Sequence, residues 1–228
     1  MDAPEIHHHP SDELLLSHAA VGLPIGARLV VATHLELCAT CRQRVAALRA
    51  LGGVLLDEQP PAPLREDALA RALDRIARIE PHPPVPTLGD RAPRRPSAPP
   101  PLPLGAVWPR ALADCSATRW RWLGPGMRWS RVNVPDAPEA NVFLLRIGAG
   151  KYLPRHTHRG TELTQILYGH FHDGRALFGP GDFDLADADV HHQPVVQDGG
   201  ECICLASVDG RLAFDGFIAR WLGGLVGM

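Results

Sequence analysis

Lysine is almost missing from this chain: of its 23 basic residues only Lys151 is a lysine, which reads as compositional bias and not as chemistry. Net positive charge is missing too, since 25 acidic residues leave a formal charge of −2. The balance is uniform, with 8 basic against 11 acidic residues in positions 1–80 and 15 against 14 in the remainder. Neither part offers the basic platform that binding to phosphate backbones requires. No stretch approaches 18 uninterrupted apolar residues, and the start "MDAPEIHHHPSDELL" has no positive segment followed by an apolar one. Neither a membrane span nor a signal peptide is expected. Cysteine is scarce and odd in number, five in 228 residues, which does not make a secreted disulfide framework. A reducing cytoplasm is the expected compartment.

Proline, by contrast, is concentrated. Between Pro81 and Leu104, 10 of 24 residues are proline. Proline fixes φ and removes the amide donor, so this stretch is expected to be a semi-extended linker and neither helix nor central strand. It divides the chain into residues 1–80, a linker at 81–104 and residues 105–228. The first part has helical periodicity. "SDELLLSHAA" opens with Ser11 as an N-cap candidate and acidic residues in the first turn, and Pro24 stands near a second helix start. Val45, Leu48, Leu51 and Val54 share a helical face, as do Leu69, Leu73, Ile76 and Ile79. Four short helices with a thin core form a unit small enough to need a staple. In the last part "NVFLLRIGAG", "ELTQILYGHFHD", "GDFDLADADV" and "ECICLASVDG" are short β-prone runs between glycine and aspartate turns. They predict an antiparallel sandwich or barrel, so the fold class expected is α+β in two domains.

"VVATHLELCATC" places His34, Cys38 and Cys41 at His-x3-Cys-x2-Cys spacing. A pair four residues apart lies on one helical face, so His34 and Cys38 can touch one ion, with Cys41 on the next turn or at the start of a following helix. Thiolate and imidazole are ligands zinc prefers, and a structural zinc site closes with four. The nearest unused donors are His7, His8 and His9. A catalytic zinc with an open position fits this set less well than a staple, and oxidation of Cys38 and Cys41 with loss of zinc is a conceivable switch.

"GKYLPRHTHRGTELTQILYG" holds a second cluster. On a strand His156 and His158 share a face, and Glu162 is again an even number of residues away. Two histidines and a carboxylate on one sheet face await a further metal donor. The spacing Gly-x5-His-x-His-x3-Glu-x6-Gly resembles the first motif of the cupin barrel, which makes an antiparallel β-barrel the form expected of the second domain. Aligning "DADVHH" with the second cupin motif puts His192 at the remaining ligand position, with His191 the alternative. Asp187, Asp189 and Val196 depart from that motif. Zinc, manganese, iron and nickel are all compatible with the donors. Cys202 and Cys204 share a strand face and read either as small core residues or as oxidisable groups, and Cys115 as packing.

Taken together, "HHPSD", "VVATHLELCATC", "RHTHRGTEL" and "CICLA" resemble the ChrR-type zinc anti-sigma factors, over both parts of the chain. The resemblance implies a zinc site of His9, His34, Cys38 and Cys41, and a cupin metal site of His156, His158, Glu162 and His192 in which zinc is the expected ion. It implies that residues 1–80 sequester an extracytoplasmic-function sigma factor. It further implies that the cupin, residues 105–228, senses oxidative stress in the form of singlet oxygen, with no direct contact to nucleic acid or membrane. No catalytic residues are expected. The rival reading is a metal-dependent cupin dioxygenase or isomerase with an accessory zinc unit, since fold alone does not decide function. A zinc-finger DNA binder lacks its basic recognition face.

Overall fold

The protein is described by a computed structural model covering residues 5–78, 99–135, 137–158, 160–209 and 212–214, with the side chains of His158 and of 212–214 outside the description. Most of the proline-rich segment, residues 81–98, therefore lies outside it, as does Ile79.

Four helices come first. In α1, Asp12–Ala19, Ser11 Oγ accepts from the Leu14 amide at 3.3 Å while Asp12 and Glu13 occupy the first turn. This is the capping pattern expected of that sequence. Helix α2, Ile25–Leu37, starts after Pro24 and ends at Cys38. Cys38 also caps α3, Ala39–Asp57, its sulfur accepting from the Cys41 amide at 3.4 Å. Helix α4 is Ala68–Arg78.

Twelve strands follow: β1 Ser116–Ala117, β2 Arg121–Gly124, β3 Met127–Asn133, β4 Val142–Ile147, β5 His156–His158, β6 Thr161–Tyr168, β7 Phe171–His172, β8 Leu177–Phe178, β9 Phe183–Ala186, β10 Val195–Val196, β11 Cys202–Asp209 and β12 Leu212–Phe214. A seven-stranded sheet runs β1-β3-β4-β11-β6-β9 with β2 on β3, beside a three-stranded sheet β10-β7-β8 and the pair β12-β5. All pairings are antiparallel. The result is a cupin-like sandwich, one of the two forms the strand pattern allows, and not the closed barrel expected with the cupin motif. The reason is local. The strands of the smaller sheets are two or three residues long, and the strand residues flanking Pro154 and Pro194 meet only through isolated bridges, Tyr152 with Val195 and His156 with His192. Proline withholds the donors that would continue the ladder.

The large sheet is buried on both faces. Phe143, Leu145, Ile166, Cys202, Cys204, Ala206 and Val208 point into the cupin interior. Val142, Leu144, Leu163 and Leu205 point the other way and share one core with Leu15, Val30, Val31 and Val45 of the helices. This period-2 division follows from strand geometry. The helices thus have no separate core; α2 lies on the sheet. At the start of α2, Gly26 makes the close approach: a β-carbon there would collide with the Ser207 hydroxyl and stand 3.0 Å from Val142 Cγ2. At its end the Glu36 carboxylate accepts from the amides of Arg110 (3.0 Å) and Ala111 (2.5 Å), which open a short 3-10 turn.

The helical periodicity in α3 and α4 is real, but of the two apolar faces only the first half of that on α3 is core. Val45 is buried, whereas Leu51 and Val54 are about half exposed. No residue of α4 is buried, and Leu69, Leu73 and Ile76 stand open at 72%, 56% and 63%.

Gly26→Val forces branched methyl groups into the contact between α2 and the sheet. Overpacking of this kind costs about 1–3 kcal/mol, which a lowered urea midpoint of the full chain would register; an unchanged midpoint would show that α2 is not held this closely.

Candidate metal centres

The turn between α2 and α3 brings the first cluster together. His34 sits in the last turn of α2, Cys38 at the junction and Cys41 in the first turn of α3. The fourth member arrives from upstream of α1. His34 Nε2 lies 3.4 Å from Cys41 Sγ, and His9 Nδ1 lies 3.4 Å from Cys38 Sγ and 3.5 Å from Cys41 Sγ. One ligand atom from each of the four falls within 4.8 Å of every other. Zinc bonds of ordinary length to nitrogen and sulfur, at the tetrahedral angle, require N···S edges of about 3.6 Å. The donor set and its spacing therefore fit zinc.

Among the three upstream histidines the fold separates the roles. The His7 and His8 amides both donate to Asp182 Oδ1, at 2.7 and 2.9 Å, and the Phe183 amide donates to the His8 carbonyl at 3.0 Å. The His8 ring stacks obliquely on Phe178, with Nε2 3.2 Å from the Leu177 carbonyl. His8 is thereby engaged on the cupin, His7 is exposed, and His9 reaches the cysteines.

His34 is fully buried, and burial pushes its imidazole down to about 4, so the ring is neutral. Its Nδ1 lies 3.1 Å from the Gly181 carbonyl and 3.2 Å from Gln165 Oε1. A carbonyl oxygen can only accept, so Nδ1 carries the proton and Nε2 presents a lone pair to the cysteines. Burial, followed by the neighbouring Cys38 thiol, pushes the Cys41 thiol up to about 12. Two thiolates side by side there require a cation to compensate them.

The second cluster lies on the other face of the sheet, inside the cupin. His156, Glu162 and His192 are buried with their ligand atoms mutually within 4.8 Å. His156 Nε2 and His192 Nε2 are 3.1 Å apart, and Glu162 Oε2 is 3.9 Å from His156 Nε2. His156 Nδ1 donates to the Pro154 carbonyl at 2.8 Å, and His192 Nδ1 faces Asp173 Oδ2 at 3.5 Å. In the neutral tautomers these contacts select, both Nε2 lone pairs converge, which a shared cation turns from repulsion into coordination. His158 belongs to β5, but its side chain lies outside the described residues. His191 is exposed and on the opposite side of the backbone from buried His192.

Behind His192 stands a network that the sequence reading missed. Arg175 Nε donates to Asp173 Oδ2 at 2.6 Å, and Arg175 NH2 reaches both Asp184 oxygens at 2.9 Å. Burial raises the Asp173 carboxyl, but hydrogen bonds from His192, the Ala176 and Arg175 amides and the Arg175 side chain outweigh it and hold the group below the usual range. Burial holds the Asp184 carboxyl above that range. In the sequence Asp173 looks like a turn residue between β7 and β8, and Gln165 like a polar interruption of an apolar strand. Only the docking of α2 on the sheet shows what Gln165 faces, the His34 imidazole. Cys202 and Cys204 lie with sulfurs 3.6 Å apart in the cupin core, and Cys115 is buried.

Known proteins place this geometry in context. A family model described as the ChrR Cupin-like domain matches residues 109–209. The anti-sigma-E factor ChrR of Cereibacter sphaeroides is 42% identical over 216 residues, covering 94% of this chain and 95% of that protein. The crystal structure of Rhodobacter sphaeroides SigE in complex with the anti-sigma ChrR matches with a TM-score of 0.62 and 41% identity, over 90% of this chain and all of that one. Similarity of this extent, running through both the helices and the cupin, means that the chain belongs to the ChrR family of anti-sigma factors.

Proposed function

We propose that this protein is a cytoplasmic anti-sigma factor that holds an extracytoplasmic-function sigma factor through its helical part and releases it under oxidative stress. The observation that carries this reading is the similarity along the whole chain to ChrR, a relative whose structure is known in complex with SigE. The relative that matches along the whole chain is an anti-sigma factor, which favours this reading over a dioxygenase or isomerase. Among the described residues no helix is long and apolar enough to cross a membrane.

The surface supports it. Leu51, Val54, Leu55 and Leu56 at the end of α3, and Leu69, Leu73 and Ile76 on α4, are exposed apolar side chains on two helices consecutive in the chain. Exposed apolar residues clustered along a helix mark an interaction site, and their burial against a partner is the driving force for association. Zinc held by His9, His34, Cys38 and Cys41 would fix the α2–α3 corner from which this surface projects. Because the ligands are scattered through the unfolded chain, its binding energy is folding energy.

The cupin cluster of His156, Glu162 and His192, completed by His158, would hold a second divalent ion, for which zinc is our reading. The signal we assign to this part is singlet oxygen, to which imidazole and sulfur groups are reactive. Domain limits of 1–80 and 105–228, joined by the proline-rich 81–104, accompany this division of labour.

Two measurements test these assignments. Elemental analysis of the purified full chain should find zinc at both clusters; Cys38→Ser should lose the first and His192→Ala the second, and a Cys38→Ser chain with undiminished zinc would sink the assignment of the first site. In a titration with an extracytoplasmic-function sigma factor of the same organism, Leu73→Asp should weaken binding at least tenfold, as expected for a buried apolar anchor, without lowering thermal stability. Undiminished affinity would remove α4 from the interface.

A further inference from the structure

The groups that orient the zinc ligand His34 do not come from the helical part. We infer that the cupin sheet completes the first metal site: Gln165 and the Gly181 carbonyl are positioning groups for His34, and Asp182 positions the segment that delivers His9. This rests on the proposed binding of zinc to His9, His34, Cys38 and Cys41.

Seven hydrogen bonds carry it. His34 Nδ1 donates to Gln165 Oε1 and to the Gly181 carbonyl, both from the cupin. Gln165 is itself fully buried, and its amide nitrogen donates to the Ile166 carbonyl at 3.2 Å, which turns Oε1 towards the imidazole. Asp182 spends one carboxylate oxygen on the His7 and His8 amides and the other on the Gly179 amide at 2.8 Å, so the residue that fixes the turn also fixes the chain entering His9. The Phe183 amide adds a backbone bond to His8. An acceptor on the far nitrogen of a metal-bound histidine sets its tautomer, orients its ring and raises its basicity.

The placement has a consequence for signalling. Strand β6 carries Glu162 and Thr164 on the face towards the cupin cluster, where Thr164 Oγ1 donates to Glu162 Oε1 at 3.2 Å. It carries Leu163 and Gln165 on the face towards α2. The two metal clusters therefore stand on opposite faces of one strand, three residues apart. A shift of β6 when the cupin cluster changes is a shift of the acceptor on His34, and zinc affinity at the α2–α3 corner depends on the state of the cupin.

The test uses the full chain loaded with Co2+, whose thiolate charge-transfer band reports the Cys38/Cys41 site alone because the cupin cluster offers no cysteine ligand. Affinity is read by titrating a chelator against that band. Gln165→Leu should weaken the site about tenfold, the low end for loss of an outer hydrogen bond to a ligand, because Gly181 remains. Gln165→Glu keeps an acceptor oxygen and should bind at least as tightly as wild type. Asp182→Asn, which preserves volume, should also weaken the site and decides the matter if Gln165→Leu does not fold. Wild-type affinity in both Gln165→Leu and Asp182→Asn would overturn the inference, as would equal weakening by Gln165→Leu and Gln165→Glu, which would indicate packing alone. A Cys38→Ser chain that keeps the band would instead refute zinc at the first site, and the inference would fall with it.

Discussion

The docking of α2 onto the seven-stranded sheet is the constraint from which the other features follow. It needs a residue without a side chain at its start, Gly26, where the helix meets Ser207 and Val142. It needs an acceptor at its end, Glu36, for the amides of the 3-10 turn. Between them Val30 and Val31 are fully buried against the sheet's outer residues. Close packing of this kind transmits displacement because interiors do not compress readily. Once α2 is seated, His34 has one direction in which to point, with its ring between the Gly181 turn and the two cysteines.

That seating also explains the unequal burial of the helices. The face of α2 is covered by the sheet and that of α1 by α3 and α2, and α3 contributes to the same core only through its first half. The second half of α3 and all of α4 extend past it with their leucines and isoleucine exposed. In a chain belonging to the ChrR family, this unspent apolar surface is where a sigma factor would fit. The corner where α3 leaves α2 is spanned by the histidine and cysteine cluster, with His34 on α2, Cys38 at the junction and Cys41 on α3.

Both clusters show one design: buried imidazoles whose far nitrogen is held by an acceptor that turns the near nitrogen towards the other members of the cluster. For His34 the acceptors are an amide and a carbonyl; for His192 the acceptor is Asp173, itself held by Arg175. The arginine neutralises Asp173 and Asp184 together. Without it, two buried carboxylates beside a metal ligand would compete with that ligand for the ion.

The sequence alone determined whatever depends on near neighbours along the chain. The His-x3-Cys-x2-Cys spacing spans one helix turn and a junction, the His-x-His-x3-Glu spacing a strand and its turn, and Ser11 caps the helix it precedes. Covalent geometry carries such patterns without help from the rest of the fold. It also carried the family likeness. What it did not determine were the partners across long separations: that His9 and not His8 meets the cysteines, that buried His192 and not exposed His191 faces His156, that Gln165 is an acceptor for His34 131 residues away, and that Asp173 and Arg175 stand behind His192. Nor did periodicity distinguish the apolar face of α2, which is core, from that of α4, which is surface, because both have the same helical spacing. Only the tertiary structure decided these, since burial depends on which element arrives opposite, and hydrogen-bond geometry falls away within a fraction of an ångström.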